Sequence, residues 1–512
     1  MNFSHVFQTP PLEDWLNLGM LFLGMLVFIL ISEFVRHRFH WRQEVTRKIV
    51  HISVGVLLLF TPLLLKTSLP LLVIAGFFTI FNFIALRKNL LPGIHISRDN
   101  LGTVYYAFSF FVLVLLFWDQ YKIIIIASMM VMAIGDAAAA IVGHSVAKPH
   151  QYTLIHDKKS LEGSAAMFLV SMTAIFITFL VYPSAPPVSD QTTLGLFLFS
   201  VYAAVIATFS EALGNKGNDN LMVPLLTAII IYFLLTGSAV AHIQFLTGLL
   251  LGGAAAYLSF RANFLSGSGA VATFLLATVI FGFGGLPWTV PILTFFILSS
   301  LLSKSGKTVK ARYDLIFEKG SRRDYAQVFA NGGVAGLLMI AYVLFPDPVF
   351  YLLYLGSLAA AMADTWATEI GVLIGQQPRL IYNLKPVPSG TSGGITFAGL
   401  FGGLLGAFIL SLSGSFFLPN PEIASVYIAL AVISLGGLLG SLVDSLLGAT
   451  LQVQYVCSVC GKVTEKRVHC NGTQTSSVKG LSWMNNDTVN LANTVSGFIF
   501  VYLGLKLISG YF

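Results

Sequence analysis

The chain has 512 residues, of which 56% are hydrophobic and only 10% are charged, and its mean hydropathy is +0.82. Soluble globular domains carry roughly 25% charged residues, so this composition excludes an ordinary soluble protein. The formal net charge of +7 is explained by the basic loops of a membrane protein and requires no nucleic-acid partner. Three cysteines are too few for a disulfide framework.

Apolar stretches long enough to cross a bilayer recur along the whole chain. A transmembrane helix needs roughly 20 apolar residues, and windows of that size predict an all-α, polytopic integral membrane protein with about sixteen spans. The predicted spans lie near residues 14–35, 48–65, 69–86, 101–117, 121–146, 161–182, 194–213, 221–236, 240–257, 264–285, 287–302, 325–345, 349–374, 392–414, 422–450 and 487–510. The first is too long for a signal-peptide core and predicts a permanent helix.

Basic residues alternate with the predicted spans. If the N-terminus lies outside, all but three of the 29 Lys and Arg residues fall on one side of the membrane. The exceptions are Lys66, Lys122 and Lys506. Because basic loops stay in the cytoplasm, we expect both termini outside and the active sites on the cytoplasmic side.

A polar break at residues 259–268 divides the chain into two predicted tandem bundles. The predicted domains are 1–260 and 261–512, and the second contains a cysteine-rich insertion at 451–480. Both halves carry the same order of motifs: an intramembrane aspartate, a polar loop, a glycine-containing helix start, and later acidic or amide residues at helix ends.

The spacing of these motifs is similar in the two halves. Asp136 precedes Gly163 by 27 residues, and Asp364 precedes Gly390 by 26. This similarity suggests a diverged duplication. Duplicated halves also occur in transporters, so the repeat alone does not identify a function.

Carboxylates at membrane depth are energetically costly and mark functional sites by default. In the first half, the acids at predicted cytoplasmic helix ends are Asp136, Glu162, Glu211 and Asp219. Such a cluster suits Mg²⁺ bound through carboxylates and substrate phosphates, and one acid could accept the proton of an alcohol. The alternative for Glu211 and Asp219 is that they are merely solvated.

Basic residues near two helix starts in the first half could bind an anion. Lys159 and Ser160 open a helix whose free backbone N–H groups attract negative charge, although Ser160 could equally be an ordinary N-cap. His51 follows Arg47 and Lys48 and could orient a phosphate or a ribose. A single histidine on a helix face is more often structural.

A glycine-rich segment, residues 388–394, marks the second half. Glycines allow close backbone approach, and successive N–H groups bind phosphate oxygens. The neighbouring Lys385, on the same side as Asp364, favours this role over simple helix packing. Residues 305–308, Ser-Gly-Lys-Thr, resemble the tail of a Walker loop, but they follow a membrane span rather than a strand.

The insertion contains the donor set of a zinc site. These donors are Cys457, Cys460, His469 and Cys470. Adjacent residues do not easily bind one ion, so the sequence leaves open whether His469 and Cys470 both act as ligands and whether structural zinc is present.

Residues 30–240 resemble the CTP-dependent polyprenol kinase family, which includes phytol kinase and dolichol kinase. The matching motifs are Arg47-Lys48-x2-His51, Gly135-Asp136-x2-Ala139, Lys159-Ser160-x-Glu162-Gly163, and Glu211 with Asp219-Asn220-x2-Val223-Pro224. The resemblance implies CTP as phosphoryl donor, Mg²⁺ at Asp136 and Asp219, and catalytic roles for all four acids. It implies substrate or nucleotide binding by Arg47, Lys48, His51, Lys159, Ser160 and Asn220.

Residues 265–510 resemble the phytyl-phosphate kinase family. The matching motifs are Arg322-Arg323-Asp324-x2-Gln327-Val328-x2-Asn331, Asp364-Thr365-Trp366-Ala367-x-Glu369, Pro388-x-Gly390-Thr391-x-Gly393-Gly394, Gly440-Ser441-x2-Asp444-Ser445 and Asp487-Thr488-Val489-Asn490. The resemblance implies catalytic roles for Asp364, Glu369, Asp444 and Asp487, with Mg²⁺ at Asp364 and Asp444. It implies binding roles for Arg323, Asp324, Gln327, Asn331, Lys385, Gly390, Thr391, Gly393 and Asn490.

Together the two resemblances imply a bifunctional enzyme. One half would phosphorylate an isoprenoid alcohol and the other its monophosphate, giving a prenyl diphosphate such as phytyl or geranylgeranyl diphosphate. The implied partners are membrane lipid, the alcohol and its monophosphate, and a nucleoside triphosphate. The nucleotide of the second half and the oligomeric state are left open.

Two alternatives remain at this point. A CTP-dependent lipid cytidylyltransferase would leave cytidine in its product, but the long charged C-terminal signature of those enzymes is missing from this sequence. A repeat-built transporter should line a path to both faces with polar residues, whereas the predicted outer loops are short and nearly uncharged.

Overall fold

The computed structural model describes residues 3–40, 43–88, 100–305, 322–418, 423–461, 463–470 and 472–509. Helices dominate, and the prediction of an all-α polytopic membrane protein is confirmed. The chain forms two compact units, Met1–His242 and Ile243–Phe512. This division lies inside a helix, whereas the sequence places the domain boundary at 260/261, where that helix ends.

The first unit consists of nine helices and one short hairpin within the described residues. The helices are α1 Leu12–Phe39, α2 Gln43–Leu64, α3 Leu69–Lys88, α4 Gly102–Phe117, α5 Lys122–Met130, α6 Asp136–Ser145, α7 Leu161–Val181, α8 Thr193–Ala212 and α9 Asp219–Thr236. The antiparallel hairpin pairs β1 Gln151–Thr153 with β2 Lys158–Ser160. A π-helical turn, Val131–Gly135, joins α5 to α6 in one apolar span.

The second unit contains longer helices and three small groups of strands. Its helices are α10 Ala239–Arg261, which begins just before the unit boundary, α11 Gly267–Ser305, α12 Tyr325–Leu344, α13 Val349–Ile374, α14 Phe397–Ser415, α15 Ile423–Thr450 and α16 Asn486–Ser509. Its strands are β3 Arg379–Leu380, β4 Gly394–Ile395, β5 Gln454–Val456, β6 Val463–Thr464, β7 Val468–His469, β8 Thr473–Gln474 and β9 Ser476–Lys479. Strands β3–β4, β6–β5–β9 and β7–β8 form antiparallel sheets.

Helix α11 folds back on itself. A straight helix of its 39 residues would be about 58 Å long, roughly twice the hydrocarbon thickness of a bilayer. Gly285 interrupts it with φ 61° and ψ −154°, a conformation that glycine adopts without steric cost. Near the end of α11, the Nζ atom of Lys304 lies 3.1 Å from the carbonyl oxygen of Ala262, which precedes its start. The two arms are therefore antiparallel, as the sequence predicts for spans 264–285 and 287–302.

Thirteen helices in the described residues are long and apolar enough to cross a membrane. Helices His51–Leu64 and Gly102–Phe117 are apolar but shorter. Counting these two, and each arm of α11 separately, gives the number of spans expected from the sequence. The prediction of about sixteen spans is therefore approximately right.

Both units contain the same five-helix arrangement. It comprises α4, α5–α6, α7, α8 and α9 in the first unit and α12 to α16 in the second, and its first helix packs against its last in each unit. A β-hairpin precedes the third helix in both. Ser160 caps α7 by accepting a hydrogen bond from the N–H of Gly163 at 3.1 Å. Thr396 caps α14 in the same way, with Gly399 donating at 3.0 Å.

The two capped glycines occupy equivalent positions. A Cβ atom on Gly163 would lie 2.8 Å from the carbonyl oxygen of Ala139, and one on Gly399 would lie 2.8 Å from that of Ala367. Each alanine follows the intramembrane aspartate by three residues. The spacing in the sequence pairs Gly163 with Gly390 instead, and this pairing is wrong because the hairpin loop of the second unit is longer.

The close contact at Gly399 gives a stability prediction. The substitution Gly399→Ala should destabilise the protein by about 1–3 kcal/mol, because the added methyl group has no room beside the Ala367 carbonyl. Thermal unfolding of the purified protein in detergent measures the effect. The control is Gly253→Ala in α10, where a Cβ atom would lie 3.9 Å from the ring of Phe274. Equal unfolding midpoints for both variants would contradict the proposed close packing.

Candidate functional site

A polar cavity of about 320 Å³ lies within the second unit, between α12, α13, α15, α16 and the glycine-rich segment. Most of the residues that the sequence predicts for this half line it. They are Arg323, Gln327, Asn331, Asp364, Glu369, Gly390, Thr391, Gly393, Asp444 and Asn490. Residues far apart in the sequence thus form one site.

Carboxylates face this cavity from two helices. Asp364 and Glu369 lie on α13, and Asp444 lies on α15. Asp444 interacts electrostatically with Asp364. Its Oδ2 atom is buried and has no hydrogen-bond partner among the described residues. Buried carboxylate oxygens need a partner, and Mg²⁺ prefers such oxygen ligands, so the donor set fits a divalent cation.

Arg323 provides a fixed positive charge in the cavity. Its backbone is held between α11 and α12: its N–H donates to the carbonyl of Phe264 at 2.9 Å, and its carbonyl accepts from the N–H of Ser266 at 2.9 Å. Burial lowers the pKa of Arg323 to about 10, while Glu369 acts in the opposite direction. The guanidinium therefore stays charged at neutral pH and has the geometry to bind phosphate oxygens.

The glycine-rich segment forms a fixed wall of the cavity. Gly390 and Gly393 have φ values of 86° and 79°, in the left-handed region that favours glycine. A Cβ atom on Gly393 would lie 2.4 Å from the Cβ of Ala449 on α15. The hydroxyl of Ser392 donates to Oε1 of Gln452 at 2.6 Å. Gly393 is thus required for this segment to lie against α15.

Three predicted residues of the second half do not line the cavity. Asp324 caps α12 by accepting a hydrogen bond from the N–H of Gln327 at 3.0 Å. Lys385 is exposed in the loop between β3 and β4. Asp487 lies in the first turn of α16, from which Asn490 reaches the cavity.

The cavity also contains residues to which the sequence analysis assigns no role. They are Thr365, Thr368, Ser441, Ser445, Gln452, Glu465 and Asn486, among others. Glu465 belongs to the cysteine-rich insertion, in which the sequence analysis predicts only a zinc site. One feature of the sequence could have identified this residue: Glu465 is the sole acidic residue between positions 451 and 480.

The candidate site of the first unit is built around two largely buried ion pairs. Lys48 on α2 pairs with Asp136 at the start of α6, and their side chains are 15% and 12% exposed. The Nζ atom of Lys159, at the end of β2, lies 2.5 Å from Oε1 of Glu211 on α8. Lys159 also donates to the backbone carbonyl of Glu211. Buried charges of this kind require partners.

Lys159 pairs with Glu211 and interacts electrostatically with two further acids. Burial alone would lower the pKa of Lys159, but Glu211 and Asp219 outweigh it and raise the pKa above its ordinary value. Asp136 acts in the same direction. Carboxylates from α6, α8 and α9 therefore lie near one lysine, whereas Glu162, which the sequence analysis groups with them, contacts His150.

A distorted helical turn positions Asp136. The π-helical turn Val131–Gly135 immediately precedes it, and such turns occur frequently at functional sites. The Nε2 atom of His51 lies 3.2 Å from the carbonyl oxygen of Met132 in this turn. His51 also interacts electrostatically with Asp136. The histidine therefore lies beside the carboxylate.

Other predicted residues of the first half have local roles or cannot be placed. Glu162 accepts a hydrogen bond from the backbone N–H of His150 at 3.1 Å and lies 2.7 Å from its Nδ1 atom. These contacts join α7 to the start of the hairpin rather than to Asp136. Asn220 is buried in the first turn of α9. The side chain of Arg47 and the basic segment 306–321 lie outside the described residues.

The four metal-ligand candidates of the insertion lie together. The ligand atoms of Cys457, Cys460, His469 and Cys470 are all within 4.8 Å of one another. Cys457 and His469 are buried. The structure thus gathers the whole predicted zinc set at one point.

Comparisons with known proteins connect the chain to membrane proteins. The family model described as integral membrane protein DUF92 matches residues 250–498. Protein PGR of Arabidopsis thaliana is 34% identical over 242 residues, which cover 43% of this chain and 82% of the relative. A phytol kinase of Synechocystis sp. is 31% identical over 223 residues, covering 42% and 90% respectively. Protein VTE6, chloroplastic, of Arabidopsis thaliana is 28% identical over 239 residues, covering 45% and 62%. No solved structure matches.

Proposed function

This chain belongs to the family of phytol and polyprenol kinase-like integral membrane proteins, and from that premise we propose that it is a bifunctional kinase. The first unit phosphorylates a long-chain isoprenoid alcohol, and the second unit phosphorylates the resulting monophosphate. The product is a prenyl diphosphate such as phytyl or geranylgeranyl diphosphate. CTP is the proposed phosphoryl donor of the first step, and CTP or another nucleoside triphosphate is that of the second.

The observation that carries this proposal is the repeated site. Each unit holds an aspartate on the second helix of the shared five-helix arrangement, Asp136 or Asp364, next to further carboxylates and a buried cation. Phosphoryl transfer needs little more from a protein than positioning and charge stabilisation. Two such sites in one chain match two successive transfers.

In the second unit, we assign the proposed roles to residues that line the cavity. Arg323 and the backbone of the glycine-rich segment bind the phosphate groups of the nucleotide and the lipid. Asp364 orients the attacking phosphate oxygen of the monophosphate. The polar residues Gln327, Asn331 and Asn490 fix the remaining oxygens and the ribose.

In the first unit, the attacking group is an alcohol, so a base is required. Asp136 accepts the hydroxyl proton, while Lys48 forms an ion pair with its carboxylate. Lys159 neutralises phosphate charge and is itself held by Glu211. His51 orients the phosphate beside Asp136.

Both sites have carboxylates that would hold a divalent cation. Mg²⁺ would be held by Asp136 and Asp219 in the first unit and by Asp364 and Asp444 in the second, where it neutralises the charge of the triphosphate. The buried, unpartnered Oδ2 atom of Asp444 supports this assignment in the described residues of the second unit.

Burial in the membrane suits such substrates. An isoprenoid tail gains about 0.8 kcal/mol for each CH₂ group that leaves water, so the alcohol and its phosphates remain in the bilayer. Only their polar heads need to reach the sites. We place both sites at the cytoplasmic surface, where nucleotide is available, in line with the charge of the loops.

The test uses purified full-length protein in lipid vesicles with geranylgeraniol or phytol and CTP labelled at the γ-phosphate. We expect label first in the lipid monophosphate and then in the diphosphate, and the label should enter the diphosphate directly when unlabelled monophosphate is supplied. Parallel reactions with ATP and GTP identify the donor of each step.

CTP labelled in the cytosine ring provides the complementary measurement. A lipid product that carries the ring label would identify a cytidylyltransferase and refute the kinase proposal. Absence of labelled lipid with all three nucleotides would refute it as well.

A further inference from the structure

The cysteine-rich insertion has the geometry of a closed metal site. The Nδ1 atom of His469 lies 3.2 Å from Sγ of Cys470 and 3.6 Å from Sγ of Cys460. With Zn–S near 2.3 Å and Zn–N near 2.0 Å, a tetrahedral site requires N···S separations of about 3.5 Å. The ligand atom of Cys457 is within 4.8 Å of the other three. These separations are those of ligands around one ion.

The backbone explains how two adjacent residues can share an ion. Cys470 has φ 35°, a left-handed conformation that turns its side chain toward the same centre as the imidazole of His469. In the turn that carries Cys457 and Cys460, Gly461 has φ 68°, and its N–H donates to the carbonyl of Cys457 at 2.9 Å. This tight turn brings Cys460 back beside Cys457. The sequence leaves open whether His469 and Cys470 both act as ligands. These backbone conformations allow both side chains to face one ion.

The insertion has little regular secondary structure of its own. Its strands are only two to four residues long, and every residue of β9 is exposed. Segments below about 40 residues generally need a metal, disulfides or a partner to fold. Its cysteines form no disulfide among the described residues, and a bound metal would add stability to these short strands.

The insertion is also linked to the cavity of the second unit. Glu465 lies between β6 and β7, so the Cys457–Cys460 turn and the His469–Cys470 pair flank it on both sides in the chain. Its Oε1 atom accepts a hydrogen bond from Nε2 of Gln452 at 2.9 Å. Gln452 in turn accepts from Ser392 of the glycine-rich segment. Both Glu465 and Gln452 line the cavity.

We infer that Cys457, Cys460, His469 and Cys470 bind one structural Zn²⁺, and that this ion holds Glu465 and Gln452 against the glycine-rich segment of the cavity. Thiolate and imidazole ligands select zinc over magnesium or calcium, and four protein ligands leave no open position for catalysis. The ion therefore acts by positioning the cavity wall. This inference concerns metal binding and local order, and it stands whether or not the protein is a kinase.

Metal content tests the site itself. Full-length protein purified in detergent should contain about one zinc per chain, and Cys457→Ser or His469→Ala should remove it. The matched control, Ser476→Ala, changes an exposed residue of β9 and should keep the zinc. Elemental analysis measures the content. Equal zinc in the wild type and both ligand variants would overturn the proposal.

Thiol reactivity provides a second test that needs no variant. All three cysteines of the chain belong to the proposed site, so the native protein should react slowly with a thiol reagent such as DTNB. A strong zinc chelator should make all three thiols reactive, and replacing the metal with Co²⁺ should give the visible absorption of tetrahedral cobalt thiolate. Equal thiol reactivity before and after chelation would contradict metal binding.

Hydrogen exchange tests the link to the cavity. Zinc removal should speed amide exchange in residues 388–394, because Gln452 loses the support of Glu465. Gln452→Ala should have the same effect on this segment while the zinc content stays at about one per chain. Unchanged exchange in residues 388–394 after chelation would show that the ion does not position the cavity wall.

Discussion

The substitution Asp364→Asn is expected to lower the rate of monophosphate phosphorylation by at least about a hundredfold, the range attributed to a positioned acid or base. Asparagine keeps the size of the side chain but removes the charge that faces the cavity beside Asp444. Phosphorylation of the alcohol in the first unit should continue, so monophosphate should accumulate. Chromatography of the labelled lipids in a time course measures both steps.

The reciprocal change supplies the control. Asp136→Asn should abolish phosphorylation of the alcohol while supplied monophosphate is still converted to the diphosphate. Continued activity of the unaltered unit shows that each variant is folded. Asp190→Asn, which changes an exposed acid of the first unit, should affect neither step. Loss of both steps from either single change would contradict two independent sites.

The second large effect concerns the pair of Lys159 and Glu211. The substitution Lys159→Met should lower the free energy of unfolding by about 3–5 kcal/mol, because it leaves the carboxylate of Glu211 buried without its cation. Thermal unfolding in detergent measures the loss. Phosphorylation of the alcohol should also fail, since Lys159 pairs with Glu211 and interacts electrostatically with two further acids.

A double variant separates stability from activity. Glu211→Gln combined with Lys159→Met removes both charges and should restore most of the lost stability, while phosphorylation of the alcohol remains absent. The comparison variant is Lys66→Met, which breaks the exposed pair with Glu13, whose side chains are 68% and 61% exposed. Exposed pairs contribute little, so this change should barely shift unfolding. A stability loss at Lys66 as large as at Lys159 would contradict the role of burial.

The sequence predicted the structure best where a local pattern is compatible with only one kind of structure. Apolar stretches in a chain with few charges must become membrane helices, and even the reversal at Gly285 coincides with the gap between two predicted spans. The acids of both sites were identifiable for the same reason, because a carboxylate in an apolar span is rarely neutral to function.

Residues whose contacts depend on distant parts of the chain could not be assigned from the sequence. Glu162 looked equivalent to the other acids, but its side chain bonds to His150. Glu465 lies in the insertion for which the sequence predicts only a zinc site, yet it lines the cavity through its contact with Gln452. The pairing of Gly163 with Gly390 was wrong because the spacing in the sequence does not show that the hairpin loop of the second unit is longer. The backbone contacts identify Gly399 as the equivalent of Gly163.

The sequence by itself determined the membrane class and the approximate number of spans, because composition and periodicity fix how a chain partitions into a bilayer. It also proposed a two-part organisation and a set of candidate site residues. Only the tertiary structure decided which of those residues meet. It paired Lys48 with Asp136 and Lys159 with Glu211, closed the cavity around Asp364, Asp444 and Arg323, and brought His469 and Cys470 to one centre. Such pairings depend on helix packing and loop conformation, which bring together residues separated by tens of positions. No local pattern in the sequence predicts these contacts.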